Sequence, residues 1–504
     1  MSKGAHPSAA EHRLAANVAP DFVTALALAY LALPLVLFVG GWFRPLPALA
    51  LLAFCGVIAW RCRTIVGTRV MTRRHSHILQ VLVFACLWAA LGGGSHFVYA
   101  NPDWVVRDAV LADLAQTGWP PAYETTDATP QILRSAIGFL LPVALSGKLL
   151  GVATLPFATF VWTALGLTLF LLLLPLPRRS WQALLAGLLI IALFSGMDIV
   201  GIFLLHGHYA VFPLRLEWWA EYDFRGAFTY SSLMAQLLWA PNHALPMWLA
   251  TALLYRHWRH PNWPTVFATM LPSLPLWTPF ALPGLAPFLI VCAIASKRLR
   301  NRLANVDLMV WLSSAILLTA VLSVQLLGAQ AMPLMALNSG STASAEPPLV
   351  DFLRNYTLFI LMEFVCQALV LYSLLKHSRP LFWTAFLVLA TLPFVHFGPS
   401  NDLLLRGSTP ALIILAILTM QTLTDNSTVD TVRKSLLAML CIVGAHSAAN
   451  EIARALLWTA WKPDYSQTLP ATQHGALPAH YVGSLSDPIL RSLLRPPSNV
   501  DSNR

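Results

Sequence analysis

Four charged residues, Asp103, Arg107, Asp108 and Asp113, fall within one polar stretch, NPDWVVRDAVLADLAQTGWPPAY (101–123), of an otherwise apolar chain. A carboxylate at hydrogen-bond distance from a hydroxyl can serve as general base, and an arginine beside it can hold an anion. Asn101 suits a helix N-cap, Pro102 the first helical position and Asp103 the first turn, where the helix dipole favours an anion. Gly118 followed by Trp119-Pro120-Pro121 is a stop signal. The stretch therefore predicts a helix of about four turns lying outside the membrane, with Trp104 and Trp119 placed for the interface. On it Asp103 and Arg107 share a face with Val110 and Leu114, while Asp108 points away. The same caps allow Asp103 a purely local role, as a helix acid paired with Arg107.

Other polar groups recur in separate places. The segment HGHYAVFPLRLEWWAEYDFRG carries His206, His208, Arg215, Glu217, Glu221, Asp223 and Arg225 around Trp218 and Trp219. His206-x-His208 is not a helical metal pair, which argues against zinc, and the segment fits either an interfacial helix or a substrate-binding loop. Trp239-Ala240-Pro241-Asn242-His243 and Ser400-Asn401-Asp402, with Arg406 and Ser408-Thr409-Pro410, stand at the outer ends of two spans. Asp402 and Arg406 can form an ion pair, but charge near a bilayer is costly enough to raise a functional role. Asp198 lies near the outer end of its span; Glu363 lies mid-span, where a structural hydrogen-bonding role is open.

The elements that must position these groups are membrane helices. The chain is 57% hydrophobic and 11% charged, against roughly 25% charged in soluble domains. Apolar runs of about 15 to 24 residues recur along it, long enough to cross or nearly cross a hydrocarbon core of about 30 Å. The net charge of +10 resides in short clusters between these runs: Arg61 to Arg74, Arg256 and Arg259, Lys297 to Arg302, Lys376 and Arg379. That is the positive-inside pattern and not a nucleic-acid surface. Cys55, Cys62, Cys86, Cys292, Cys366 and Cys441 lie mostly inside apolar runs, as small buried hydrophobes.

The expected fold is all-α: a polytopic transmembrane bundle of about 12–14 spans with interfacial helices in its extracytoplasmic loops. Residues 1–21 form a cytoplasmic tail, residues 22–458 the bundle, with outer loops 96–132, 206–240 and 329–350, and residues 459–504 an extracytoplasmic tail that is either a loosely packed cap or disordered. Two short proline-broken helices are expected around Trp277, Thr278 and Pro279. Arg178 and Arg179 belong on the cytoplasmic side. Residues 134–173 must then cross an odd number of times, so 134–150 is interfacial or re-entrant unless those arginines break the rule.

An outward first major loop of the form Pro-Asp-Trp-x-x-Arg-Asp after an early span resembles the GT-C class of integral-membrane glycosyltransferases. That class carries an essential Asp or Glu in such a loop, often preceded by proline, as at Pro102-Asp103. The chain is also similar to uncharacterised bacterial polytopic members in short patches between about residues 77 and 420. These patches are Asp103-Trp104 with Leu114 and Trp119 to Tyr123; Leu140 to Lys148; Ser195 to Asp198; Trp239 to His243; and Asn401-Asp402 with Arg406, Ser408 and Pro410. Two additional spans precede the acidic loop in this chain.

The resemblance implies transfer of a sugar from a polyprenyl-phosphate donor, in the membrane lipid, to an extracytoplasmic glycan, lipid or protein acceptor. The protein would sit in the bacterial inner membrane. Asp103 is the implied base and Asp108 the second choice. Arg406, or else Arg107, would hold the leaving phosphate, and Asp198, Glu217, Trp218, Trp119, His243, Asn401 and Asp402 would line the site. Members of the class differ in requiring a divalent cation such as Mg or Mn, and the sequence makes no choice. The alternatives are a transporter or flippase of lipid-linked saccharide, expected to carry its ionisable groups at mid-membrane depth; a polysaccharide polymerase or ligase, expected to gather arginines in a late outer loop; and a non-catalytic scaffold.

Overall fold

The computed structural model of the protein describes residues 21–65, 75–124, 130–207, 216–221, 227–295, 307–328, 334–336, 349–397, 401–426 and 430–500. The expectations resting on His208, Arg215, Asp223, Arg225, Ser400, the side chain of Glu221, the clusters Arg69 to Arg74 and Lys297 to Arg302, and most of loop 329–350 lie outside the described residues.

The chain folds as a mostly helical bundle. Among the described residues, seven helices are long and apolar enough to cross a membrane: Phe22–Trp42, Pro45–Arg63, Val152–Leu173, Leu308–Leu326, Val350–Leu374, Asp402–Thr424 and Thr431–Leu457. Shorter apolar helices, His75–Ala90, Leu140–Leu150, Trp181–Ala192, Ala281–Ala295 and Arg379–Phe394, stand among them. Large apolar side chains such as Leu46, Leu82, Leu87, Phe157, Leu369 and Ile442 face outward. In water such a surface would be a liability; against lipid it is the natural outer face of a bundle whose backbone polar groups are satisfied within helices.

The charged groups sort to two ends. At one, Asp21 pairs with Arg256 at 2.5 Å, Arg61 with Asp307 at 2.6 Å and Lys376 with Asp425 at 3.5 Å. Asp21, Asp307 and Asp430 at this end also cap helices, accepting from the backbone N–H of Thr24, Val310 and Arg433. From here Phe22–Trp42, Pro241–His257, Thr409–Thr424 and Thr431–Leu457 run to the opposite end, where Trp42, His243, Thr409 and Glu451 stand. The last of these has 27 residues, about 40 Å of helix. This division agrees with the two sides inferred from the basic clusters.

Both strained regions of the threading have physical solutions. Helix Leu140–Leu150 has 11 residues, about 16 Å against a core of about 30 Å. It ends at Gly151 with φ of 91° and is followed by the full-length span. Helix Leu140–Leu150 is therefore too short to cross, and the full-length helix that follows carries the chain to Arg178 and Arg179. The proline-broken stretch is Trp263–Met270, Leu274–Trp277 and Ala281–Ala295. Trp277 and Thr278 are fully buried. The freed carbonyls find partners: Leu274 O accepts from Thr278 N and Leu276 O from Gly138 N, each at 2.9 Å.

The fold is mostly helical, as expected, and the tail contributes strands to a small sheet. Strands Pro121–Tyr123 and Gln131–Leu133 from the first outer loop join Val482–Ser484 and Ser498–Asn499 from the tail in one four-stranded sheet. Gln131–Leu133 pairs antiparallel with both Pro121–Tyr123 and Val482–Ser484, and Ser498–Asn499 pairs parallel with Pro121–Tyr123. Trp461 Nε1 donates to Ala100 O at 2.8 Å, and the Asp113 carboxylate accepts from Leu469 N at 3.0 Å and from the Tyr123 hydroxyl at 2.8 Å. Tail and first outer loop therefore form a single cap over one end of the bundle. Strands of two or three residues show no alternation long enough to read from sequence.

Gln131 faces Ser484 across this sheet, and opposed Cα atoms of paired strands lie within the reach of a disulfide. A Gln131→Cys, Ser484→Cys double variant is expected to form a cross-link under mild oxidation. Loss of free thiol, measured against each single variant, checks it; two cysteines that stay reduced would mean the tail does not close on the loop.

Candidate active site

The polar stretch forms the helix Asp103–Gln116, and its start is seated by the end of another helix. Asn101 Oδ1 accepts from Asp103 N at 3.1 Å, while Asn101 Nδ2 donates to Leu238 O at 2.9 Å. Arg107 donates to Trp239 O at 2.5 Å and to the Asp103 carboxylate at 3.2 Å. It lies 5.3 Å over the Trp104 ring and hydrogen-bonds the Tyr481 hydroxyl. Leu238 and Trp239 end the helix Leu233–Trp239, so their carbonyls lack intrahelical partners and form its negative pole. The asparagine and the arginine satisfy both demands.

Trp104 departs from expectation. It is buried, with its ring laid on Gly93 and Gly94, where any added methyl group would meet the indole. It is therefore a packing residue and not an interfacial anchor. Asp103, by contrast, keeps a half-exposed side chain.

That carboxylate borders an open cavity with about 930 Å³ of empty space, part of it open to solvent. Around the same cavity stand Glu217, Trp218, His243, Asp402 and Arg406, drawn from three segments singled out in the sequence. Asp402 pairs with Arg406 at 2.7 Å, and Arg406 lies 5.5 Å over the Phe280 ring. His243 occupies the first turn of Pro241–His257, with a buried Nδ1 that lacks a hydrogen-bond partner.

Sequence reasoning missed several contributors. Glu451 borders the cavity and accepts from Trp239 Nε1 at 2.8 Å; Arg454 pairs with Glu451 and lies 4.9 Å over the Trp239 ring. Gln236, also at the cavity, accepts from Trp248 Nε1 at 3.0 Å and Thr409 Oγ1 at 3.3 Å, which fixes its amide. From the cap, His480 and Tyr481 come close to Arg107 and Arg406. Burial, followed by Arg406, pushes the His480 imidazole down, so neutral His480 adds a polar group beside the arginines and little charge. Nothing in the local pattern around Glu451 or His480 distinguished them, because only the fold brings them near Asp103.

The remaining candidates lie elsewhere. Asp108 is buried against His96 at 2.9 Å, and His96 Nδ1 faces Trp461 O at 3.2 Å, tying the tail to the helix. Burial pushes the Asp108 carboxyl up, and the contact and charge of His96 and the charge of Arg107 pull it back. Trp119 packs on Trp42 and donates to Leu114 O at 2.8 Å. Asn401, buried with φ of 49°, caps the short helix Asp402–Gly407 and accepts weakly from Phe397 N at 3.4 Å. Asp198 is fully buried: Trp219 Nε1 donates to it at 3.0 Å and to Glu363 at 2.9 Å, and Ser447 and Ser195 also reach it. Glu363 lies in a one-turn π-helical stretch, Leu361–Val365, within its span.

Glu217 is distinct among the cavity acids. Its Oε1 accepts from both Ser232 N at 3.0 Å and Ser232 Oγ at 2.6 Å. Burial, then the charges of Asp198 and Glu451, push its carboxyl up to about 8. A divalent cation would require converging oxygen or nitrogen ligands. Among the described residues no three His, Cys, Asp or Glu side chains converge in that way, and Asp103 and Asp402 are each taken by an arginine. The described residues of the site do not fit a resident metal.

No protein-family model matches this chain, and no curated protein or solved structure is similar to it. What the cavity does must therefore be argued from its side chains.

The two acids of the helix are expected to separate by stability. Replacing buried Asp108 by Ala strands His96 and should cost about 3–5 kcal/mol. Asp103→Asn, at a half-exposed pair, should cost at most about 1 kcal/mol. Thermal unfolding in detergent reads the difference; equal losses would show that Asp103 serves mainly to hold the helix.

Proposed function

We propose that the cavity is a sugar-transfer site that moves a sugar from a polyprenyl-phosphate donor to an extracytoplasmic acceptor, with Asp103 as general base. One observation carries the reading: a half-exposed carboxylate, held from behind by Arg107, meets Arg406 and two tryptophans at one cavity at the end of an apolar helical bundle. A lipid-linked substrate meets these chemistries together. Its phosphate needs cations, its sugar ring an aromatic face and hydrogen-bonding groups, and its chain an adjoining apolar phase.

In this scheme the acceptor hydroxyl gives its proton to Asp103 as its oxygen bonds to the anomeric carbon. The bond from that carbon to the phosphate oxygen breaks, and the electron pair leaves with the polyprenyl phosphate. Arg406, with Arg107 behind it, stabilises that charge. Asp402 orients Arg406, and Trp218 or Trp239 stacks on the sugar. The site would face the periplasm, on the side opposite the basic clusters.

A transport reading draws on a different observation, the carboxyl pair of Asp198 and Glu363 buried beside a span. The two readings separate in vesicles supplied with polyprenyl-phosphate sugars. Sugar transfer by the wild type, lowered about 10²–10⁴-fold in Asp103→Asn and lowered also in Arg406→Gln, supports the enzyme. A wild type that moves the lipid-linked sugar across the bilayer without transferring it supports the transporter. Transfer unaffected by Asp103→Asn removes the proposed base.

A further inference from the structure

We propose that Glu217 stands in the cavity as a neutral carboxylic acid and is its hydrogen-bond donor, presenting an O–H to an oxygen of the bound ligand. The assignment rests on the sugar-transfer reading only for the identity of that oxygen, a sugar hydroxyl or ring oxygen.

The geometry supports the role in three ways. Glu217 is more than nine-tenths buried yet borders the cavity, so its carboxyl is removed from bulk water while part of it faces whatever the cavity holds. Second, the two donors that reach it among the described residues, the N–H and O–H of Ser232, converge on Oε1. That is the environment of a carbonyl oxygen in a protonated carboxyl, and it leaves Oε2 to carry the proton toward the ligand.

Third, the charges nearby disfavour ionisation. From the helix Asp198–His206 comes Asp198, from the π-helical stretch Glu363, and from the helix Thr431–Leu457 Glu451. The cations on these elements are bound elsewhere: Arg454 pairs with Glu451, and His206 contacts Trp219 O at 2.8 Å. Across the cavity, Arg406 and Arg107 are engaged by Asp402 and Asp103. The rise of the Glu217 carboxyl to about 8 agrees with this arrangement.

The buried acid pair gains a role from the same geometry. Residues 216–218 form one tight turn, and the next residue, Trp219, bridges Asp198 and Glu363 with its single N–H. The turn is thus pinned on the side away from the cavity while Glu217 projects into it. Gly201 packs directly under the Trp219 ring, with no space for a side chain. Asp198 and Glu363 act here as positioning residues.

The test is a pH titration of the full-length protein in lipid nanodiscs, followed by infrared difference spectroscopy of the carboxylic-acid C=O stretch. The wild type should show a protonated carboxyl that ionises near pH 8, and Glu217→Gln, which keeps the donor and the bond to Ser232, should lack that signal. Folded Glu217 holds its proton above the usual glutamate range, so its contribution to stability is full below about 4.5 and is lost as pH rises through about 8. Glu217→Gln should flatten that loss in thermal unfolding. If Glu217 is already ionised at pH 7, the proposal is overturned. Where sugar transfer is measurable, Glu217→Gln should stay within about tenfold of wild type and lose the alkaline fall in rate, whereas Glu217→Ala falls further. A Gln variant as impaired as Ala would also overturn it. The infrared result decides Glu217 even if no sugar is transferred, so the two readings fail separately.

Discussion

The arrangement of the cavity depends on how one buried guanidinium is satisfied. Arg107 is almost entirely out of solvent, and its donors are divided among the Asp103 carboxylate, the carbonyl of Trp239 and the hydroxyl of Tyr481. Each partner lies on a different part of the chain: the helix itself, the end of Leu233–Trp239, and the cap. A buried cation with fewer acceptors would carry a heavy desolvation cost, so the three elements are held where those acceptors meet. Asp103 reaches the cavity as a consequence of that packing.

A second hub lies one bond away. Trp239 gives its carbonyl to Arg107 and its indole N–H to Glu451, while Arg454 covers its ring. The two cavity walls are thereby linked through a single residue, with the arginine–aspartate pairs on the Asp103 side and the carboxyls of Glu217 and Glu451 on the other. Such a division suits a ligand with one anionic and one hydroxyl-rich part. It is also the feature on which the sugar-transfer proposal and the neutral role of Glu217 agree.

Much of this was legible residue by residue. The caps around Asp103 predicted its helix, the i, i+4 spacing predicted the Asp103–Arg107 and Asp402–Arg406 pairs, and the proline-broken helices appear around Trp277 as expected. These are local properties, set by neighbours within a turn or two. Asp108 shows where local reasoning stopped. Its position facing away from Asp103 was clear, but its partner His96 lies outside the helix and is itself held by Trp461 from the distant tail. Trp104 looked interfacial because an amphipathic ring beside a membrane favours the boundary, and only the two glycines beneath it show that it is core.

Composition and charge order by themselves determined that the chain is a helical bundle with apolar outer faces, and which loops share an end. Hydropathy is summed along each segment, and a mispaired charge in lipid is too costly to be tolerated. The tertiary structure alone decided that residues 459–500 close over the first outer loop, that Glu451, Gln236 and His480 stand near Asp103, and that Asp198 sits behind Glu217 and not beside it. Those outcomes rest on contacts between residues hundreds of positions apart, through short strands and single side chains. Such contacts leave no periodic trace in a single sequence.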